Sequence, residues 1–218
     1  MRVSVIVPTL NESDSIESTL EQLKPFRMDG HEVIVVDGGS QDETIKLATS
    51  RADKIVNSAP GRALQMNMGA SQARGDVLWF LHADTLVPDN AAQLILEALA
   101  NKKMQWGRFD IHLSGKPLLL RIVERLMNIR SRITGIATGD QGIFVRRETF
   151  EYIGGFKPIP LMEDLDISKR LKKLSHPCNL DEKLITSSRR WEQNGILRTV
   201  FLMWCLRLAY TLGARPEN

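Results

Sequence analysis

The sequence predicts an α/β protein, an open, mostly parallel twisted sheet flanked by helices, and three observations lead there. Apolar runs rich in β-branched residues, Val3 to Val7 and Glu32 to Val36, each end in a polar cluster. These runs alternate with segments of helical period, which implies parallel βαβ units with right-handed crossovers. A third run, Phe80-Leu81-His82-Ala83, stops abruptly at Asp84. In such a sheet the ligand crevice lies beyond the carboxyl ends of the strands, so the three endings gather at one cleft.

Taken in order, Val3 to Val7 is a buried strand halted by Pro8. Ser13 or Asp14 then caps a helix whose inner face is Ile16, Leu20 and Leu23. After the second strand, Glu32 to Val36, Ser40-Gln41-Asp42-Glu43 has the spacing of a capping box opening a helix. Lys54 to Val56 is a short strand, a helix lies between Pro60 and Arg74, Asp76 to Leu81 is the fourth strand, and Asp89 to Asn101 is a helix. Beyond residue 100 the rhythm changes. Gln105 to Leu113 reads as an extended strand and Pro117 to Ile133 as a strongly amphipathic helix. Its apolar set is Leu119, Ile122, Val123, Leu126, Ile129 and Ile133, opposite Arg121, Arg125, Asn128 and Arg132. Gly142 to Val145 is a short strand and Glu163 to Leu174 a helix. Ile196 to Leu212 is a last helix, apolar nearly all round, with Arg198 and Arg207 on opposite sides; such a helix is buried, dimerised or lipid-associated.

The chain has 218 residues, 43% hydrophobic and 25% charged, which suits a soluble globular protein with a real core. A formal charge of +3 is too small to indicate nucleic acid, but residues 116 to 132 alone carry a net +4. Two distant cysteines, Cys178 and Cys205, suggest neither a disulfide framework nor a zinc site and fit a reducing compartment. The chain enters a strand at once, without signal-peptide regions, and has no charge-free window long enough to span a bilayer. A cytoplasmic protein, in peripheral contact with the inner face of a membrane, is expected.

The chemistry is read from the strand exits. Glu12, in Pro8-Thr9-Leu10-Asn11-Glu12, and Asp37, in Asp37-Gly38-Gly39-Ser40, present carboxylates able to accept from a base or ribose, and the glycines let a ligand approach the backbone. Helix capping and turn chemistry are the plainer explanation of each. No G-x-G-x-x-G follows the first strand, which disfavours a dinucleotide enzyme. Asp84 stands where a divalent cation, Mn²⁺ or Mg²⁺, would meet a diphosphate, and His82 is a ribose contact or a packed histidine. Arg62, Gln65 and Asn67 could bring charge and amides to the mouth. Met162-Glu163-Asp164-Leu165-Asp166 opens a helix, where acids are favoured electrostatically, yet so dense a cluster also suits a general base. Ser188-Arg189-Arg190-Trp191 offers guanidinium groups and an indole for a diphosphate or a sugar, or a cation–π surface pair.

In this order VSVIVPTLNE, VVDGGSQDET, FLHADT, GDQG, MEDLD and SRRW resemble the family-two glycosyltransferases of GT-A fold, over roughly residues 2 to 191. The match looks closest to short bacterial-type members with H-A-D in place of D-x-D. The resemblance implies a nucleotide-diphospho-sugar donor, UDP- in preference to GDP-linked, a divalent metal and inversion at the anomeric carbon. By position it implies nucleotide-sugar binding by Pro8, Leu10, Glu12, Asp37, Gly38, Arg62, His82, Ala83 and Asp84, with Asp84 on the metal. Asp164, beside Glu163, would be the base, and Gly139, Asp140, Gln141, Arg190 and Trp191 would line the sugar or acceptor pocket. Two departures stand out: His82 replaces an acid, and Ser187 replaces the glutamine of Q-x-x-R-W, which argues against a processive synthase.

The expected organisation is one GT-A domain over residues 1–195, with a nucleotide-binding half, 1–100, and an acceptor-binding half, 101–195, followed by an apolar helix and tail, 196–218. A nucleotidyltransferase is the enzyme alternative, though its Gly-rich, Arg-containing loop is missing after strand one. A non-catalytic nucleotide-sugar-binding protein of the same fold is the other. The two apolar helices leave peripheral membrane contact, a lipid-linked acceptor and a homodimer open.

Overall fold

The computed structural model describes residues 1–213, without the side chains of Arg190 and Thr211. One sheet of eight strands has the order β3-β2-β1-β4-β7-β6-β8-β5. Its first half follows the predicted rhythm: β1 (Val3–Thr9), α1 (Ile16–Gln22), α2 (Lys24–Met28), β2 (Glu32–Asp37), α3 (Thr44–Ala48), β3 (Lys54–Asn57), α4 (Arg62–Gln72) and β4 (Val77–Phe80). All three pairings here are parallel. Strands β1, β2 and β4 are buried on both faces, which is why they read as continuous apolar runs, while β3 at the edge is half-buried or exposed. One layer of core is closed by Ile16, Leu20 and Leu23, the other by Ala63, Met66 and Ala70 of α4.

Local signals near the turns were misleading. Pro8 lies inside β1 and does not end it. Ser15, not Ser13 or Asp14, precedes α1, and its side chain makes no cap bond. The supposed capping box is absent, because the Ser40 hydroxyl donates to Asp37 while Asp42 accepts from the Thr44 amide at 3.0 Å.

The second half is β5 (Thr85–Leu86), α5 (Ala91–Ala98), β6 (Trp106–Leu113), α6 (Leu118–Thr134), a 3₁₀ turn (Gly139–Gln141), β7 (Phe144–Arg146), α7 (Arg147–Tyr152), α8 (Glu163–Lys172), β8 (Cys178–Thr186), α9 (Arg189–Asn194) and α10 (Ile196–Thr211). Strand β7 runs antiparallel to both β4 and β6, and β6 is parallel to β8. The short β7 meets β6 only at Trp106 and Gly107. Beyond that point the edge of β6 would expose its amides, and α6 covers it with side chains.

This decides which side of α6 faces the sheet. Its buried residues are Leu120, Val123, Glu124, Asn128 and Ser131. Asn128 accepts from the Ile111 amide and donates to the Ile111 carbonyl, both at 3.0 Å, and Glu124 accepts from the Leu113 amide at 2.9 Å. Helix side chains thus take the place of a missing strand, since a buried strand edge must find partners. Of the predicted apolar set, Val123 is buried and Leu119 half-buried, while Ile122, Leu126, Ile129 and Ile133 point to solvent, Ile133 with 79% of its surface exposed. Helix α10 is also not buried: Leu197, Phe201, Trp204 and Leu208 are exposed, with only Thr199 buried and Ile196 and Val200 packed on the α6 cluster. Residues 214–218 of the expected tail lie outside the described residues.

Candidate active site

The ends of β1, β2 and β4 converge, as the parallel register requires, and the start of α8 faces them. One cavity is lined by Pro8, Phe80, His82, Arg62, Gly139, Glu163 and Asp164. Residues from both halves of the chain therefore share a wall. The chain enters α8 through Met162 at φ +70°, a left-handed backbone that costs about 1 kcal/mol or more for a side-chain-bearing residue and persists here beside the cavity.

Asp164 is the perturbed acid of this cavity. Its Oδ2 accepts from the Gly139 amide at 3.0 Å and its Oδ1 from its neighbour Leu165 at 2.7 Å. Burial, reinforced by the adjacent Glu163 charge, raises its carboxyl from 3.8 to about 6, against the pull of those two amides and of Arg62. Glu163 is itself buried and pairs with Arg62, Nη1 to Oε1 at 3.4 Å. The third acid of the cluster is structural, for Asp166 is held by Lys157 and Arg170 at 2.7 Å each.

The 3₁₀ turn is fixed by a capping box between Thr138 and Gln141. Asp140 lies 3.3 Å from His82 Nδ1. A Cβ on Gly139 would come within 2.6 Å of His82 Nε2, so only glycine permits this approach. Ala83 is buried, its carbonyl accepting from Thr19 at 2.7 Å.

Asp84 differs from the other acids. Half-buried just past β4, it has no hydrogen-bond or ion-pair partner among the described residues. No group of three or more His, Cys, Asp or Glu side chains that could hold a metal gathers among those residues. A hard cation bound chiefly by phosphate oxygens needs only one or two carboxylates from the protein, and Asp84 fits that part.

The residues expected to receive a nucleoside are more fully paired than their sequence suggests. The Asp37 carboxylate is buried and accepts from the Gly39 and Ser40 amides at 2.8 Å each, from the Ser40 hydroxyl and from Thr9 at 3.3 Å. Four donors saturate its oxygens, so in this state it shapes the Gly38-Gly39 loop. Leu10 is exposed, and Glu12 lies 3.5 Å from Arg189, a residue that sequence reasoning passed over in favour of Arg190. Gln65 and Asn67 do not reach the mouth. Gln65 bridges the carbonyls of Thr9 and Val36, and Asn67 clamps Phe156. Trp191 packs beside the cluster of Ile111, Leu113, Leu120 and Val123, away from that cavity. The Arg190 side chain lies outside the described residues.

The family model for Glycosyl transferase family 2 matches residues 4–150. A probable glycosyltransferase of Bacillus subtilis is 26% identical over 216 residues, 88% of this chain and 50% of that protein. An undecaprenyl-phosphate 4-deoxy-4-formamido-L-arabinose transferase of Pseudomonas fluorescens is 31% identical over 162 residues, 66% of this chain and 46% of that one. The chain thus spans about half the length of the curated relatives it matches. Among solved structures, glucosyl-3-phosphoglycerate synthase of Mycobacterium tuberculosis, in complex with Mn²⁺, UDP and glucosyl-3-phosphoglycerate, superposes with a TM-score of 0.62 at 21% identity, covering 84% of this chain and 70% of that one. At that identity the likeness concerns the fold, which is GT-A.

Proposed function

This chain belongs to glycosyl transferase family 2, and on that premise we propose that it transfers a sugar, with inversion, from a nucleotide-diphospho-sugar to an acceptor hydroxyl, with Asp164 as general base. The observation that carries the reading is the state of Asp164. Two backbone amides fix its carboxylate in the wall it shares with the strand exits, and a pKa near 6 suits a base that is ionised at neutral pH yet still basic. The acceptor oxygen attacks the anomeric carbon from the face opposite the diphosphate as its proton passes to Asp164. The bond from that carbon to the diphosphate oxygen breaks, and its electron pair leaves on the nucleoside diphosphate. Asp84 would hold a divalent cation, which when bound would supply neutralisation of that leaving charge. Glu163 keeps the base's pKa high and holds Arg62 at the cavity.

Pro8, Leu10, Glu12 and the Asp37-Gly38 loop receive the nucleoside, with UDP the preferred carrier, and Gly139 to Gln141 face the sugar and acceptor. We read residues 1–195 as one catalytic domain, non-processive since Ser187 stands at the motif's glutamine, working in the cytoplasm. To test this, melting points are recorded with Mn²⁺ and a panel of UDP- and GDP-sugars, since a ligand of the native state raises the transition. A UDP-sugar should stabilise wild type and fail with Asp84→Asn; no response to any nucleotide sugar would end the proposal.

A second element of the reading concerns the outward faces of α6 and α10. No helix among the described residues is long and apolar enough to cross a membrane. We assign these faces to an anionic lipid surface. Ile122, Leu126, Ile129 and Ile133 form an exposed apolar stripe beside a cleft of about 350 Å³ that Arg121, Arg125, Arg132 and Lys183 line against Asp110 and Glu124. Basic clefts flanked by apolar helix faces suit an anionic interface. The end of α10 lies against α8, Lys169 Nζ sitting 4.9 Å from the Tyr210 ring, so this surface borders the helix that carries the base. A lipid-linked acceptor fits there, as in the Pseudomonas relative by its name.

A further inference from the structure

The α6 helix supplies one cation that neither the fold nor the transfer step explains. Arg130 lies two turns beyond the buried Val123, at the margin of the inward face, and is itself half-buried. Its Nε and Nη2 are sealed from solvent and have no partner among the described residues. A guanidinium carries five donors and cannot shed its proton, so leaving the three on these two nitrogens empty is costly unless an anion fills them. Burial works against its charge, while Asp164 and Asp140 lie close enough to favour it and Arg108 to oppose it.

The surroundings repeat the theme. Of the eight buried side-chain polar atoms without a partner among the described residues, four belong to Arg130, His82 and Gln141. Gln141 ends the turn that binds Asp164, and it is fully buried, its Oε1 accepting from the Thr138 amide at 3.1 Å while its Nε2 is empty. His82 abuts the same turn. Buried polar atoms without partners are rare in folded proteins, and a group of them calls for an explanation. The side of the sheet decides which ligand. The nucleoside loops are at β1 and β2, whereas α6 packs on β6, three places further along the sheet from β1. Arg130 thus approaches Asp164 from the side away from the nucleoside.

Building on the transferase reading, we propose that Arg130 is a specificity-determining residue: it receives an anionic group, phosphate or carboxylate, carried by the acceptor itself. Its Nε and Nη2, side by side on the guanidinium edge, match the paired oxygens of such a group. A neutral sugar acceptor would leave them empty, so the site discriminates for charged acceptors.

Sulfate serves as the probe, since its charge is constant near neutral pH. Melting curves at fixed ionic strength should show sulfate stabilising the wild type, and its effect should add to that of UDP with Mn²⁺. Arg130→Gln should weaken sulfate by about tenfold or more and leave the UDP response intact. Sulfate binding that survives Arg130→Gln overturns the proposal. So does loss of the sulfate effect once UDP is bound, which would assign the guanidinium to the donor's diphosphate. Absence of any nucleotide response strikes the transferase reading instead, and the sulfate titration still decides the Arg130 site. Should Arg130→Gln fail to fold, Asp164→Asn gives the answer: removing the facing negative charge must tighten sulfate, and unchanged affinity refutes the assignment.

Discussion

Replacing Asp164 with Asn should make the protein more stable while stopping transfer, and the sign follows from the raised pKa. Folding lifts the carboxyl from 3.8 to about 6, chiefly by burial. Between those values the folded state binds the proton and the unfolded chain does not, so stability falls as pH climbs through the window. Above pH 6 the full penalty is present, about 3 kcal/mol at 1.36 kcal/mol per unit. Asn removes the penalty but can accept only one of the amide bonds from Gly139 and Leu165, which returns about 1–1.5 kcal/mol. The net gain is about 1.5–2 kcal/mol, or about 3–8 °C in Tm for a chain of this size. Melting curves need no acceptor, so the experiment can be done at once: at pH 7.5 the variant should melt higher than wild type, and at pH 4 the advantage should vanish. A lower Tm at pH 7.5 would refute the claim that Asp164 is an ion held against its burial.

Glu163→Gln should shift the acidic limb of the transfer rate, or of nucleotide-sugar hydrolysis, to lower pH, because Glu163 raises Asp164 and its loss frees Arg62 to lower it further. An unchanged pH profile would separate the two acids. Leu126→Ser with Ile129→Ser should alter stability by less than about 0.5 kcal/mol, yet reduce sedimentation with vesicles of anionic phospholipid and leave the weaker response to neutral vesicles unchanged. If instead the substitutions abolish a dimer in light scattering and vesicle binding is absent in wild type, the stripe is a subunit interface.

The parallel half of the fold was legible because β1, β2 and β4 are buried on both faces and announce themselves as apolar runs. The converging exits followed from topology, which brought Asp164 to the same cavity as Pro8 and His82 although they lie far apart in sequence. Strand β8 was not legible: in Cys178–Thr186 most side chains are half-buried or exposed, and Asp181, Glu182 and Lys183 interrupt any alternation where the register slips between Phe109 and Asp110 of β6. Turn chemistry misled for a related reason. Ser40, Asp42 and Thr44 do bond locally, but to Asp37 and to one another, and short polar side chains leave many such closures equally open in a sequence. Arg130 gave no signal at all, since on the helical wheel it is one more arginine.

Helix α6 is the instructive case, because periodicity gives the axis of an amphipathic helix without saying which side meets the core. Usually hydrophobicity decides. Here the neighbouring surface is the unpaired edge of β6, and the demand of Ile111 and Leu113 for hydrogen-bond partners outweighs the burial of a leucine stripe. The magnitudes are comparable: three backbone groups of Ile111 and Leu113 would otherwise be buried unmatched at about 1–3 kcal/mol each, while an Ile or Leu left partly exposed forgoes only a fraction of the about 1.5–3 kcal/mol that full burial supplies. Asn128→Leu is therefore the decisive substitution. A helix that packs by its apolar side would gain from added hydrophobicity or be indifferent to it. The structure instead requires a loss of about 2–4 kcal/mol, from the amide and carbonyl of Ile111 left without partners. Urea unfolding of this variant distinguishes the two, and a midpoint at or above that of wild type would mean that α6 presents its other face to the sheet.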